Sequence, residues 1–359
     1  MLTFLTSLEF AHIFTIFLPL FGVVFALSIR SENIRDGLLI GTGVLLFLSV
    51  LNLLYLAYNY NLPTITLAEP LPGLSITFAM EPLGMIFALV ASFLWPVTML
   101  YSVGYMRKNN EKHQPRFYAF FSVAIFATIA LSMANNLLTM YIFYEMLTLS
   151  TYPLVTHSQT RQARNAGRLY LGMLLTTSIG LFLPAIIWTY TLAGTVDFEI
   201  GGILAYNASP TTTGILLFMF VFGIGKAALM PLHRWLPAAM IAPTPVSALL
   251  HAVAVVKAGV FCILKIIAYI FDTRNLLIIS DTTPWVTDWL IYVAGATVIL
   301  ASIIALRQEN LKKLLAYSTI SQLSYVVLGA SLFTPVAVAG AVMHIAAHAV
   351  SKITLFFAA

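Results

Sequence analysis

Long apolar runs separated by short polar stretches organise almost the whole chain. They fall at about residues 10–29, 37–58, 82–103, 117–134, 136–156, 169–192, 213–230, 245–271, 286–306, 311–330 and 335–358. Most are near the ~20 residues a helix needs to cross a bilayer, so the pattern predicts an all-α polytopic membrane protein of about eleven transmembrane helices. Between the second and third runs the period changes to two. There, LPTITLAEPLPGLSITFAMEP alternates apolar and polar residues around Pro70, Pro72 and Gly73, which predicts an external β-hairpin near residues 62–80. No low-complexity segment or soluble insertion interrupts the pattern, so residues 1–359 read as a single transmembrane domain.

Composition agrees with the periodicity: 60% of residues are hydrophobic and 9% charged, where a soluble domain carries about 25% charged residues. Cys262 is the only cysteine and lies in an apolar run, which leaves no disulfide framework and no thiolate set for an iron–sulfur cluster. Glu9 precedes the first run without a basic segment or a small-residue cleavage site, so that run reads as a retained helix.

Charge placement then fixes a topology. With the N-terminus outside, the inward loops hold Arg30, Arg35, Arg107, Lys108, Lys112, Arg116, Arg161, Arg164, Arg168, Arg234, Arg307, Lys312 and Lys313, against Arg274 alone outside. The positive-inside rule therefore favours this orientation. Lys226, Lys257, Lys265 and Lys352 remain within predicted spans, and Glu145 is the only carboxylate left there, with Glu81 assigned to the outside. Each charge at a helix centre costs about 2.5–3.5 kcal/mol even on insertion scales, so such residues point to function.

Glu145 lies mid-run in LLTMYIFYEMLTLSTYPLV, flanked by the hydrogen-bonding residues Tyr144, Thr148 and Ser150. An isolated carboxylate at that depth would keep its proton, whereas a lysine within about 4–6 Å would stabilise a charged pair. Lys226 is the natural partner; the alternative is a structural ion pair that only locks two helices. Pro231 follows Lys226 by five residues, with Pro237, Pro243 and Pro245 beyond, so a broken helix is expected near 226–244. Such backbone is stable in a membrane only where protein buries it or where it lines a hydrated cavity, as at transporter sites. The competing reading makes 231–244 an inward loop to which Lys226 snorkels.

His251, Lys257 and Lys265 share the next run. Lys257 and Lys265 fall near one helical face, with His251 about 120° away from Lys257. His251 is either a proton relay or a structural hydrogen-bonding histidine, and Lys265, nearer the outer end, reads as a snorkelling lysine. In the last run, AVMHIAAHAVSKITLFFAA, His344, His348 and Lys352 recur every four residues and form a ladder about 12 Å long on one face. That ladder suits proton conduction. A bis-His haem would need a second helix, because neighbours on one helix cannot take opposite axial positions, and no nearby carboxylate completes a metal set. Phosphate loops, GxSxG and HExxH are absent from the sequence, so no cofactor site is read.

A lysine in a proline-interrupted helix followed by MPLHRWLPAAMIAPTPVSALLHAVAVVKAG resembles the antiporter-like membrane subunits shared by Mrp-type multisubunit sodium/proton antiporters and respiratory NADH:quinone oxidoreductase. YEMLTLSTYPLV, LKKLLAYSTISQLSYVVLG and MHIAAHAVSKITLFFAA resemble corresponding family stretches, and HAVAVVKAG is most similar to the D-type antiporter subunit. The resemblance implies two inverted five-helix repeats, each with a broken helix: N-terminal helices over about 1–110, a first repeat over about 115–271 and a partial second repeat over about 285–359. It further implies that Glu145 and Lys226 are the glutamate–lysine pair of a first half-channel. His251 would be a bridging histidine, Lys257 the lysine of the following helix, and His344, His348 and Lys352 the central axis. Two features depart from the family: Ala238 stands in WLPAAM where an aspartate is common, and the chain stops at Ala359 inside a family-typical segment, as a fragment or split subunit would.

The expected function is a proton-translocating subunit of a multisubunit monovalent cation (Na+)/proton antiporter in a bacterial inner membrane, with other membrane subunits, protons and lipid as its partners. The alternatives are a proton-pumping subunit of a respiratory NADH:quinone oxidoreductase or related redox complex, and a non-transporting scaffold.

Overall fold

The computed structural model describes residues 7–60, 62–205, 207–249 and 254–359. The first run is a bent pair, α1 (Ser7–Phe17) and α2 (Pro19–Ser28), meeting at 43° where Pro19 interrupts the helix. α3 (Glu32–Asn59) leads into the hairpin β1 (Ile65–Leu71) and β2 (Leu74–Phe78), which is antiparallel, with irregular register between Thr66 and Leu71. α4 (Pro82–Lys108), α5 (Gln114–Ser132) and α6 (Leu137–Val155) follow. Next come α7 (Arg161–Thr177), a π-turn at Ser178–Phe182 and α8 (Leu183–Ala193), which together form one long helix.

α9 (Pro210–Gly223) ends in a 3-10 turn at Gly225–Ala227, and Ala228 takes a positive φ of 56°. Short helices α10 (Trp235–Ala238) and α11 (Thr244–Ala248) occupy the proline-rich stretch, and α12 (Val255–Ile266) runs on into a π-turn at Ile267–Phe271. α13 (Thr273–Thr282), α14 (Trp289–Leu306), α15 (Leu311–Ser331) and α16 (Pro335–Phe357) complete the chain.

Among the described residues, six helices are long and apolar enough to cross a membrane, or seven if the bent pair counts as one span. The other apolar runs are helical too, but α9 and α12 are cut short by the breaks that follow or precede them, and α6 and α15 carry many hydroxyl and tyrosine side chains. Length and hydropathy therefore give fewer spans than the expected eleven. The same polarity marks the helices that carry the site.

α7 starts eight residues before its expected limit. Thr160 caps it, its Oγ1 accepting from Ala163 N at 3.1 Å, and Arg161, Arg164 and Arg168 extend its first turns as an amphipathic segment. α13 lies in a stretch read as loop.

α5 is the most enclosed of the long apolar helices, with 78% of its apolar stretch buried. The hairpin closes over one end of it: Ala79 N donates to Met133 O at 2.8 Å, Asn135 N to Thr77 O at 3.0 Å, and Asn136 Nδ2 to Ser75 O at 2.7 Å. Pairing with the α5–α6 corner satisfies backbone groups that a free hairpin edge would expose. At the opposite end of α4, Asp36 joins Arg35 at 2.9 Å and Arg107 at 2.5 Å, and Arg35 lies 5.2 Å from the Tyr118 ring centroid. Residues read as topology signals are thus also a buried clamp between α3, α4 and α5.

Candidate functional site

The helix break places Lys226. Because α9 stops at Gly223, the lysine leaves the 3-10 turn fully buried and points at α6. Its Nζ donates to the Tyr144 carbonyl at 2.5 Å and to Thr148 Oγ1 at 2.6 Å, and lies 3.1 Å from the Tyr144 ring centroid. The backbone N–H of Lys226 donates to the Tyr144 hydroxyl at 3.2 Å. A break that frees backbone donors therefore finds acceptors on the same helix that holds the ammonium. Trp235 Nε1 donates to Gly225 O at 3.1 Å, and Tyr170 donates to Thr148 O at 3.4 Å, which braces both sides of the contact.

The expected ion pair of Lys226 with Glu145 is not formed: no nitrogen–oxygen contact within 4.0 Å joins them, and both Glu145 carboxylate oxygens are buried without a hydrogen-bond partner. Helical spacing explains the difference. Tyr144 and Thr148, four apart, share the face turned to the break, whereas Glu145 is rotated by 100° into a groove lined by Phe120, Val123, Tyr141 and Leu149. Sequence adjacency suggested a partner that geometry assigns to its neighbours.

A second cluster joins α12 to α16. Lys257, fully buried, contacts His348 Nδ1. The His344 and His348 rings stack at 6.1 Å with 9° between their planes, and Tyr325 of α15 lies 6.2 Å from His344. Lys352 Nζ donates to Ser318 Oγ at 2.9 Å. The ladder read from the sequence is therefore intact, and its middle rung meets the lysine of α12. α12 in turn lies directly on the break. A Cβ on Gly259 would sit 2.3 Å from Ala227 N and 2.4 Å from the Lys226 carbonyl carbon, so only glycine permits that approach. His251 lies outside the described residues.

Lys265 differs from its expectation. It does not snorkel: its side chain is fully buried, Nζ donates to Ala134 O at 2.5 Å, and Glu81 Oε2 lies 3.0 Å away. The end of α12 is covered instead: the segment leaving the hairpin delivers Glu81, the residue before Pro82, and the α8–α9 connection lies along the π-turn, with Glu199 N donating to Tyr269 O at 3.4 Å and Leu204 N to Ile270 O at 3.0 Å. Glu81 was missed as a partner because it lies 184 positions from Lys265 in the chain. Its place directly before a span-initiating proline was the available signal.

A buried lysine at a helix break, a second lysine contacting a histidine ladder and the proline-rich connection between them occur within residues that match a family model over 134–359, described as "NADH:quinone oxidoreductase/Mrp antiporter, TM". Residues 72–118 match a second, "NADH-Ubiquinone oxidoreductase (complex I), chain 5 N-terminus". The chain belongs to the NADH:quinone oxidoreductase/Mrp antiporter membrane family. It is 33% identical over 292 residues to a chloroplastic NAD(P)H-quinone oxidoreductase subunit 5 of Zygnema circumcarinatum, covering 79% of this chain and 39% of the relative. It is 32% identical over 293 residues to a probable K(+)/H(+) antiporter A/B subunit of Rhizobium meliloti (strain 1021), covering 80% of this chain and 28% of the relative.

Solved structures share the fold. The Mrp complex from Dietzia sp. DQ12-45-1b superposes with a TM-score of 0.81 at 24% identity, over 98% of this chain and 37% of that one. The membrane-bound sulfane sulfur reductase, an archaeal respiratory membrane complex, gives 0.81 at 25% identity, over 97% of this chain and 70% of that one. The family member described here is thus a multi-pass membrane protein that spans well under half the length of these curated relatives. The antiporter relative carries an A/B-type name, where the sequence reading expects the D-type.

Proposed function

We propose that this chain is a proton-translocating part of a multisubunit monovalent cation/proton antiporter, with Na+ as the exchanged ion. The observation that carries the reading is Lys226, an ammonium buried at a helix break and held by a carbonyl, a hydroxyl and an aromatic face, with no carboxylate in contact among the described residues. Such a group gives up and regains a proton without separating an ion pair. In this reading protons pass among Glu145, Lys226, His251, Lys257, His344, His348 and Lys352, and low local dielectric couples adjacent titrations. About eleven spans, the inverted-repeat arrangement, an outside N-terminus and a bacterial inner membrane belong to the same proposal.

Everted membrane vesicles containing the complex test it by cation-driven collapse of a proton gradient. Glu145→Ala and Lys226→Ala each lose the exchange if the relay is right; wild-type exchange in both overturns it and favours a scaffold. A second reading, the proton-pumping subunit of a redox-driven complex, is supported by the subunit 5 relatives. Copurification with hydrophilic cluster-bearing subunits selects that reading, and copurification with small membrane subunits selects the antiporter.

A further inference from the structure

We propose that Glu81 and Lys265 form a proton-exchange pair that connects the buried relay to the side of the membrane on which the hairpin lies. This inference rests on the proton-relay reading above.

Lys265 lies two turns beyond Lys257 on α12, about 12 Å along the axis. It is fully buried, yet its partner is not: the Glu81 side chain is 15% exposed, so the pair reaches from the protein interior toward solvent. The lysine is held by Ala134 O at 2.5 Å, and its ammonium lies 4.6 Å from the Phe198 ring centroid and 5.8 Å from that of Phe261. The other titratable groups acting on the pair are Cys262, one turn earlier on α12, and Tyr269 in the π-turn that follows.

The corner does not rest on this carboxylate alone. Glu81 occupies the N-cap position of α4 but makes no capping hydrogen bond, and its Oε2 meets Lys265 at 3.0 Å. The same corner is already secured by the backbone bond from Ala79 N to Met133 O and by the Phe78–Ala134 bridge. A carboxylate at ion-pair distance, unused for capping and on a side chain that is partly exposed, suits exchange.

An N–H bond of the Lys265 ammonium breaks and an O–H bond forms on Glu81, converting ammonium and carboxylate into amine and acid. Glu81 releases that proton to water on the hairpin side and returns to carboxylate. The amine then takes a proton from the relay by way of Lys257, and the cycle runs in reverse for inward movement.

Lys265→Arg separates exchange from clamping, because arginine keeps the charge and the pairing but does not give up its proton near neutral pH. The assembled complex in everted vesicles is assayed for cation-driven proton exchange, normalised to subunit content and measured across pH, with Lys226→Ala as a control. Lys265→Arg and Glu81→Gln should each reduce exchange by roughly tenfold or more, with Glu81→Asp restoring part of it and shifting the pH profile. Wild-type exchange and pH profile in Lys265→Arg overturn the proposal, as does failure of both Lys265→Arg and Glu81→Gln to assemble, which would mark the pair as structural. Wild-type exchange in Lys226→Ala removes the relay reading itself. Loss there, with no loss in Lys265→Arg, removes only the proposed exchange pair.

Discussion

Lys226 Nζ donates to Thr148 Oγ1 at 2.6 Å while Glu145, three residues earlier on the same helix, turns away from it. The ammonium is therefore stabilised by neutral acceptors. Thr148→Val keeps the shape and removes the hydroxyl, and should cost about 1–3 kcal/mol because a buried donor is left without its acceptor. Thermal melting of the purified complex should show the loss, exchange in vesicles should fall with it, and Thr148→Ser should restore both. Unchanged exchange in Thr148→Val would show that this hydroxyl does not tune Lys226.

Gly259 sets how closely α12 approaches the broken helix. Gly259→Ala places a Cβ 2.3 Å from Ala227 N, against rigid backbone. Overpacking of this kind costs about 1–3 kcal/mol. The expected result is a lower melting temperature together with loss of exchange, since Lys226 must move with its turn. Melting and transport measured at wild-type values would mean that the two segments separate freely.

Lys257 and His348 touch, so their contributions should not add. In a double-mutant cycle of Lys257→Ala and His348→Ala on exchange rate, the double variant should be little worse than the more damaging single one. Additive losses would show that the two residues serve separate paths.

Asp36 pairs with two arginines at once, Arg35 and Arg107. Asp36→Asn leaves the buried Arg35 guanidinium without its carboxylate and should lower the melting temperature clearly, because uncompensated buried charge is costly. Arg107→Ala should lower it less, since that side chain is 37% exposed.

His157 lies just past α6, and burial, reinforced by the positive charges of Arg116 and His113, holds its imidazole down at about 4. Its 3.9 Å approach to Glu111 therefore involves an uncharged imidazole at physiological pH. An unfolded histidine takes up its proton near 6.5, so the folded state binds fewer protons between those values. The stabilisation is present above about 6.5 and is lost as pH falls from there toward 4. Melting curves collected from pH 7 to 4.5 should be less steep in pH for His157→Gln than for the wild type.

Several parts of the site were legible early. The four-residue spacing of His344, His348 and Lys352 puts them on one face, because the helical period alone requires it. Pro231 marked the break that positions Lys226. The start of α7 was less legible, since Arg161, Arg164 and Arg168 look like loop when hydropathy is the guide, although Thr160 was a readable cap. Lys265 was misread for a related reason. Its position near the end of an apolar run favours snorkelling only if nothing covers that end, and the α5–α6 corner, Glu81 and the α8–α9 connection do.

Sequence by itself determined the membrane class, the sites of most helices and the burial of Lys226, Lys257 and Lys352, because hydrophobic length and the cost of desolvating charge act locally along the chain. Tertiary structure alone decided which buried group meets which. Glu145 and Thr148 differ by three positions on one helix, yet only one faces Lys226, and Glu81 reaches Lys265 across 184 positions. Those outcomes depend on helix rotation and on a hairpin folding back over the α5–α6 corner, which are set by packing between distant segments and leave no periodic trace in the sequence.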